Sequence, residues 1–287
     1  MDEAVLVTGA NGFIGRHLVR TLRAAGHLVF THSSSDGHIA NCRLNFEGVG
    51  HVFHLAARTF VPDSWSEPLG FYEVNLLGTV NVLEFCRTCG ASLTLMSSYV
   101  YGRPVHLPIS ENELLQAFNP YSHTKILAEE IGRYYEQQFG VPVTIVRPFN
   151  IYGPGQDRRF LVPTILAQAI DPGTTTIVVA DLRPRRDYIF ITDLVDLLVS
   201  MTFRRQGGTF NAGSGSSWGV DDVIAIVNEL LPAPKAVRSE GRLRQEEILD
   251  VVADISCVRG EFGWEPRVAF RDGLRYTLAW IQESRIL

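Results

Sequence analysis

The sequence predicts an α/β protein built on a doubly wound parallel sheet, with a smaller second domain interleaved with it. Two observations predict this class. An apolar strand at residues 5–8 runs directly into three glycines at three-residue spacing. Strand and helix patterns then alternate along the first half of the chain. The length of 287 residues is sufficient for one large domain or two modest ones.

The glycines stand at Gly9, Gly12 and Gly15, between the first strand and an apolar pattern of helical period. Gly9 allows the chain to turn, Gly12 lets the backbone approach a ligand, and Gly15 lets the helix lie close to the sheet. The N–H groups and the positive dipole end of a helix start bind anions. This strand–glycine–helix pattern therefore predicts a pyrophosphate site of the Rossmann type.

The remaining elements continue this alternation. A strand at 51–57 ends in small residues, where backbone can lie against a flat ring or a ribose, and 41–48 leave room for one short strand at most, at 42–44. Beyond residue 148 the pattern changes to loops rich in Gly, Pro and Arg. The other predicted elements are strands at 28–31, 92–96 and 143–147, helices at 68–87, 121–140, 220–230 and 271–282, and a strand and helix at 188–203 that return to the main sheet.

The composition argues against several classes of function. A net charge of -5 at pH 7 leaves no general basic surface, so we expect no nucleic-acid partner. The apolar runs are shorter than the ~20 residues of a membrane helix, and no signal peptide precedes the first strand, so we expect no membrane partner and a cytoplasmic protein. Cys86 and Cys89 form a C-x-x-C at a helix end without a second pair. We therefore expect packed thiols and no metal site.

The second strand leaves the choice of dinucleotide open. An acidic residue near the end of this strand selects NAD because it binds the adenosine ribose. Here the strand leads into His32 and the serines at 33–35, and the first carboxylate comes only at Asp36. Hydroxyls such as that of Ser33 suit a 2′-phosphate as well as a ribose, but no arginine is close by. NAD is the expected cofactor, and NADP stays an alternative.

Tyr121 and Lys125 are four residues apart, so on a helix they lie one turn above each other on the same face. An ammonium near a phenol favours the phenolate and lowers a pKa that is ordinarily ~10. Tyr121 can then serve as acid and base, while Lys125 can also hold ribose hydroxyls. Ser97 follows a strand of the same sheet, and its hydroxyl can share the proton of a substrate oxygen. We predict that these three residues are catalytic.

A series of motifs resembles the extended short-chain dehydrogenase/reductase family of the NAD-dependent epimerase/dehydratase type, which includes the UDP-sugar 4-epimerases. Their order is that of the family, and together they span nearly the whole chain. The resemblance is therefore specific for the family and much less so for the substrate. The motifs lie at residues 8–15, 54–57, 75–79, 97–102, 121–125, 147–155, 186–188, 210–213 and 253–256.

The resemblance implies roles for individual residues. Ser97 stands four residues before Tyr101, where the family keeps its catalytic Ser or Thr, and Arg186 and Arg244 match two arginines that clamp the diphosphate of the substrate. The implied cofactor-binding residues beyond the glycines are Phe13, Ile14, Leu55, Ala56, Ala57, Asn75, Tyr121, Lys125 and Phe149. The implied substrate-binding residues are Ser97, Ser98, Tyr99, Asn150, Arg186 and Arg244.

The resemblance also implies a domain division and a reaction. Residues 1–148 plus about 187–208 would form the dinucleotide-binding Rossmann domain, and 149–186 plus 209–287 the nucleotide-sugar-binding domain. We expect a nucleotide-sugar epimerase that acts at C4 through a 4-keto sugar with NAD. The alternatives are an NADPH-dependent 4-ketoreductase and a cofactor-binding protein without catalysis.

Two further expectations follow from the family. Ser98 and Tyr99 occupy the places where its dehydratases carry an Asp-Glu pair, which disfavours a 4,6-dehydratase. The family also implies a homodimer, in which the helices beginning near residues 70 and 120 pair across the interface.

Overall fold

The computed structural model describes residues 3–242 and 247–284. Within these residues six parallel strands form the main sheet, in the order β2-β1-β3-β4-β5-β9. The order reverses direction beside β1, so the carboxyl ends of β1 and β3 border the crevice where doubly wound sheets bind ligands. The six strands are β1 (Ala4–Thr8), β2 (Val29–His32), β3 (Val49–His54), β4 (Ser92–Met96), β5 (Val143–Pro148) and β9 (Gly208–Ala212).

Helices cover both faces of this sheet, which confirms the predicted fold class. Along β1, Val5 and Val7 pack into one apolar core while Leu6 packs into the other, so both faces of the strand are buried. The helices are α1 (Phe13–Ala24), α2 (Val61–Ser66), α3 (Pro68–Phe71), α4 (Gly78–Cys89), α5 (Pro120–Phe139), α6 (Leu161–Ala169), α7 (Ile191–Ser200), α8 (Val220–Leu230), α9 (Ser256–Phe262) and α10 (Phe270–Glu283).

Two small sheets complete the part of the chain that the structure describes. One has the strand order β10-β8-β6 and the other pairs β11 with β7. These sheets lie in the part of the chain that is rich in loops, beyond residue 148. Their strands are β6 (Asn150–Tyr152), β7 (Thr176–Val179), β8 (Arg185–Phe190), β10 (Ser217–Gly219) and β11 (Ala236–Ser239).

The structure corrects three sequence predictions. The strand β8 does not join the main sheet, because it pairs with β6 and β10; the chain returns through α7, which packs on α1, and then enters the sheet as β9. No strand forms at residues 42–44. The predicted helix at 68–87 is divided into α3, a π-helical segment (Tyr72–Leu77) and α4. The division into domains stays a prediction, with β9 on the side of the main sheet.

The packing of α1 on the first strand generates a stability prediction. A Cβ at Gly15 would overlap the carbonyl oxygen of Gly9 and the backbone of Ala10, whereas a Cβ at Gly260 in α9 would meet nothing within 4 Å. We expect Gly15→Ala to lower the free energy of unfolding by about 1–3 kcal/mol. We expect Gly260→Ala to raise it by up to about 1 kcal/mol. Urea unfolding followed by tryptophan fluorescence measures both, and equal effects of the two substitutions would contradict the packing argument.

Candidate active site

The glycine turn after β1 forms a cradle that side chains would fill. Gly9 has a φ of 68°, and a Cβ there would lie 2.7 Å from the amide nitrogen of Ala56, so the loop after β3 packs directly on the turn. Leu55, Ala56 and Ala57 are half-buried along this loop. The predicted turn at Gly9 and the close approach at Gly15 are therefore both present.

The start of α1 is open to an anion. Gly12 is the N-cap residue, none of the described side chains caps this end, and the first turn carries no acidic residue. Gly12 is exposed, while Phe13 and Ile14 in the first turn are half-buried. The first N–H groups of the helix and its positive dipole end thus face the crevice beside β1. These features fit the pyrophosphate of a dinucleotide.

A carboxylate does reach the end of β2, although the sequence places it four residues after His32. A 3₁₀ turn (Ser34–Asp36) folds back, and Asp36 Oδ2 accepts hydrogen bonds from the amide and the hydroxyl of Ser33, both at 2.8 Å. These bonds hold the pKa of Asp36 below its ordinary value. Ser33 Oγ also accepts a hydrogen bond from Asn11 of the glycine turn at 3.1 Å.

An unpartnered nitrogen lies at the same edge of the sheet. The ring of His32 is buried, and its Nδ1 has no hydrogen-bond partner among the described residues. Buried polar groups normally have a partner, so this nitrogen is an exception among the described residues. Ser33 and Asp36 together fit the adenosine ribose of a dinucleotide.

Asn75 has a structural role that the resemblance did not imply. Its side chain is 1% exposed, its Oδ1 accepts from the amide of Arg58 at 2.8 Å, and its Nδ2 donates to the carbonyl oxygen of Arg58 and to Thr124 Oγ1, both at 3.0 Å. Both ends of the amide are therefore engaged. Asn75 ties the loop after β3 to α5.

Tyr121 and Lys125 lie on the first two turns of α5. Asn119 caps this helix by accepting from the amide of Ser122 at 2.8 Å, and Pro120 occupies the first helical position, so the chain fixes where the helix begins. Lys125 is buried, and its Nζ donates to the carbonyl oxygen of Met96 at 2.9 Å. Two ammonium protons remain for other acceptors.

The structure brings Ser98 to Tyr121, and not Ser97. Ser97 is 4% exposed, and its hydroxyl donates to Glu129 Oε1 at 2.6 Å, inside the protein. The half-buried Ser98 forms the side-chain hydrogen bond with the phenol of Tyr121. Counting four residues back from Tyr101 therefore points to the wrong serine for this geometry, because the turn after β4 places the next hydroxyl in the crevice.

Glu129 is the buried centre of a charged network behind these residues. Its two oxygens accept from Arg147 Nε and Nη2 at 2.9 and 2.6 Å and from Arg133 Nη2 at 2.7 Å, in addition to Ser97. These donors hold the pKa of Glu129 below its ordinary value, although burial opposes them. The carboxylate therefore stays charged and paired with its two arginines.

The electrostatics of Tyr121 differ from the sequence prediction. Removal from water raises the pKa of Tyr121 to about 12, the Ser98 hydrogen bond opposes that rise, and the phenol of Tyr99 adds to it. Burial lowers the pKa of Lys125 to about 8, while the charge of Glu129 raises it. The predicted lowering of the Tyr121 pKa by Lys125 is thus wrong for the side chains alone. Ionisation of this phenol at neutral pH requires a further positive charge in the crevice.

Tyr99 and Phe149 form a stacked pair beside Tyr121. Their ring centroids are 5.1 Å apart at 18°, and the Tyr99 hydroxyl donates to Asn150 Oδ1 at 3.3 Å. Tyr99 is half-buried, whereas Phe149 is 3% exposed and packed in the core. The electrostatic influence of Tyr99 reaches both Tyr121 and Arg186. Tyr99 is therefore near both the predicted catalytic phenol and the predicted diphosphate arginine.

Arg186 is fixed by local partners. Its Nη1 donates to the carbonyl oxygens of Ile248 and Arg185 at 2.7 and 2.8 Å, and its Nη2 pairs with Glu247. An anion would therefore have to displace or share the Glu247 carboxylate. The second predicted arginine, Arg244, lies outside the described residues.

Other expectations concern metals, membranes and thiols. No group of described residues has the composition of a metal site, and Cys42, Cys86, Cys89 and Cys257 are free. Cys86 is buried in α4 and Cys89 ends that helix. Among the described helices, none has the length and apolar character needed to span a bilayer.

Comparison with known proteins identifies the family. The model of the NAD dependent epimerase/dehydratase family matches residues 5–213, which include the glycine cradle, Ser98, Tyr121 and Lys125. The chain belongs to this family. Solved structures that resemble this chain are described in complex with NAD or with NADPH.

Relatives within the family carry out different reactions. The UDP-glucose 4-epimerase of Mycolicibacterium smegmatis is 30% identical, over 97% of this chain and 98% of the relative. The GDP-6-deoxy-D-mannose reductase of Pseudomonas aeruginosa is 28% identical, over 100% and 99%. The structure of TunA, an NAD-dependent NDP-hexosamine 5,6-dehydratase involved in tunicamycin biosynthesis, superposes with a TM-score of 0.91 at 30% identity, over 98% of both chains. Epimerases, reductases and dehydratases thus all resemble this chain at similar identity.

The electrostatics of Tyr121 generate a second prediction. In protein free of nucleotide, we expect its phenol to stay protonated up to pH 10.5, because burial raises its pKa to about 12. Protein labelled with [¹³Cζ]tyrosine reports this by NMR, with the signal assigned by its loss in Tyr121→Phe. We expect Ser98→Ala to raise the Tyr121 pKa further and Ser97→Ala to leave it unchanged. A phenolate signal from Tyr121 below pH 10 would contradict the burial argument.

Proposed function

We propose that this chain is a nucleotide-sugar epimerase that inverts the configuration at C4 with NAD as resident cofactor. The observation that carries the proposal is the grouping of Tyr121, Ser98 and Lys125 at the carboxyl ends of the parallel strands, the edge of the main sheet at which α1 also begins. This grouping supplies one proton-transfer site beside one dinucleotide site. The relative from Mycolicibacterium smegmatis, named a UDP-glucose 4-epimerase, supports the same assignment.

In this proposal Tyr121 removes the proton of the sugar 4-hydroxyl, and Ser98 shares that proton through its hydrogen bond to the phenol. Lys125 holds ribose hydroxyls with the protons that it does not give to Met96. The dinucleotide site would hold NAD, and the chemistry supplied there would be reversible hydride exchange with either face of C4. Tyr121 then gives its proton back to the oxygen, so the reaction has no net redox change.

The alternatives differ in observable ways. An NADPH-dependent 4-ketoreductase would use Tyr121 as proton donor only and exchange its cofactor at every turnover; the relative from Pseudomonas aeruginosa supports it. A 4,6-dehydratase is disfavoured because Tyr99 and Val100 follow Ser98, and neither is a carboxylate. A catalytically silent protein is disfavoured by the intact Tyr121, Lys125 and Ser98 group.

The sugar nucleotide would lie between Tyr121 and Arg186. The Tyr99 ring, fixed by its stack on Phe149, would contact the sugar, and Asn150 and Arg186 would meet the diphosphate. Such a substrate would lie between the main sheet and the small sheet that contains β8. The nucleotide base and the sugar stay open.

A homodimer is part of the proposal. Exposed apolar side chains lie on the surface formed by α2, α3, the π-helical segment and α5, and the Tyr72 hydroxyl is 2.7 Å from His123 Nδ1 across that surface. A contiguous exposed apolar surface is typical of a protein interface. The exposed apolar residues are Trp65, Leu69, Leu77 and Tyr134.

Activity without added cofactor tests the proposal. We expect the purified protein to convert UDP-glucose or a related sugar nucleotide with no added dinucleotide, since reversible hydride transfer regenerates NAD. Tyr121→Phe should lower kcat by about 10²–10⁴-fold and Ser98→Ala by about 10²-fold while NAD stays bound. Ser97→Ala is the matched control, with kcat close to that of the unmodified protein and a free energy of unfolding lower by about 1–2 kcal/mol.

Two outcomes of that experiment would overturn the assignment. Turnover that needs stoichiometric NADPH would establish the reductase. A Ser97→Ala loss larger than that of Ser98→Ala would show that Ser97, and not its neighbour, handles the proton.

The carboxylate at the end of β2 generates a prediction on cofactor choice. Asp36 is exposed and held by Ser33, so it can accept from ribose hydroxyls and would repel a 2′-phosphate. We expect NAD to bind more tightly than NADP. Asp36→Asn should reduce the ratio of the two affinities by about tenfold, as expected for the loss of a charged hydrogen-bond acceptor. Isothermal titration measures both affinities, and an unchanged ratio would show that Asp36 does not select the cofactor.

A further inference from the structure

A loop between β6 and α6, residues 153–160, contacts the chain on both sides of the glycine cradle. We call it the strap. Its first part contacts the first turns of α1, where Arg16 Nη2 donates to the carbonyl oxygen of Gly155 and His17 Nε2 to that of Pro154, both at 3.0 Å. These residues follow directly on the glycine cradle.

The second part of the strap is fastened to the other side of the cradle. Arg159 Nη1 donates to Asp63 Oδ2 in α2 at 3.0 Å, and its guanidinium carbon lies 4.2 Å from the centre of the Phe60 ring. The ring of Phe160 meets that of Phe60 edge to face, with centroids 5.7 Å apart. Phe60 and α2 follow the loop that packs on Gly9. The strap thus bridges the two walls of the site.

A contact within the strap orients the Arg159 side chain toward Asp63 in α2. Asp157 accepts from the Arg159 amide at 2.9 Å and from its Nε and Nη2 at 3.0 and 2.8 Å, which leaves Nη1 for Asp63. Arg183 and Asp181 form the same local pair, at 3.1 Å from the amide and 2.8 Å from Nη2. Among the described residues, however, Arg183 has no ion pair beyond Asp181. The contact across the site is therefore particular to Arg159.

The strength of these contacts suits a closure that opens for loading. Both carboxylates that pair with Arg159 are partly exposed: the exposed fraction of the side chain is 42% for Asp63 and 44% for Asp157. Exposed ion pairs are individually weak, so the strap can release while the core of the protein stays folded. The aromatic contacts of Phe60 add apolar area to the same fastening point.

We propose that the strap retains the dinucleotide through successive turnovers, with Arg159 as the positioning residue that fastens it. The inference rests on the proposed function, because a resident NAD is what an epimerase needs and what a reductase must avoid. It predicts slow release of NAD from the protein as purified. It also predicts that the rate of NAD release depends on the contacts of Arg159 with Asp63 and Phe60.

The test measures release directly, without a sugar. Protein with bound NAD is diluted and filtered at timed intervals, and the dinucleotide that remains bound is quantified by chromatography. We expect Arg159→Ala and Phe60→Ala to release NAD at least about tenfold faster, with a melting temperature close to that of the unmodified protein. Arg183→Ala is the matched control, since it removes the same Asp-x-Arg pair without a contact across the site.

The outcomes separate this inference from the proposed function. Equal release from Arg159→Ala and the unmodified protein, or equally fast release from Arg183→Ala, would overturn the strap, and so would a protein that purifies without dinucleotide. Should Arg159→Ala fold poorly, Asp63→Ala removes the same ion pair from the other side. Slow, strap-dependent release together with absent C4 epimerisation would instead overturn the proposed function alone.

Discussion

The structure depends on one buried carboxylate. Glu129 lies at the middle of α5, and it bonds to Arg147, near the end of β5, and to Ser97, which follows β4. Breaking a buried, fully bonded ion pair leaves an uncompensated charge, so the three elements are held in one arrangement. Because Tyr121 and Lys125 are on the same helix, that arrangement also fixes where they meet the strand ends. The contacts of Glu129 with Ser97 and Arg147 therefore help to position the phenol of Tyr121 beside Ser98.

Much of this could be predicted because it is local in the sequence. Gly9, Gly12 and Gly15 must be small for reasons of backbone geometry, and four-residue spacing places Tyr121 and Lys125 on one helix face whatever surrounds them. The strand and helix patterns of the main sheet likewise follow from which side chains are apolar. The folded structure keeps these local features because none of them depends on contacts between distant parts of the chain.

What the sequence did not predict depends on how the chain folds back. Which of the neighbours Ser97 and Ser98 faces Tyr121 depends on the backbone turn after β4. The hydrogen bond from Ser97 to Glu129 shows that the Ser97 hydroxyl points into the protein. Asp36 reaches the end of β2 only because a 3₁₀ turn reverses the chain. The strand β8 was assigned to the wrong sheet because an apolar pattern predicts a strand but not the strands with which it pairs. Glu129 itself, four residues after Lys125, was the one sequence signal that spacing alone could have revealed.

The raised pKa of Tyr121 and the proposed strap both relate the activity of this phenol to the presence of the cofactor. A phenol with a pKa of about 12 is almost entirely protonated at neutral pH, so it can act as a base only when a positive charge enters the crevice beside it. Lys125 does not supply that charge, because the pKa of Tyr121 is set by burial, by its hydrogen bond with Ser98 and by the phenol of Tyr99. A cofactor that left after each turnover would return the site to its unreactive state. In the proposed mechanism, retention of NAD by the strap would keep the cationic nicotinamide ring near Tyr121 and so would keep this phenol able to act as a base.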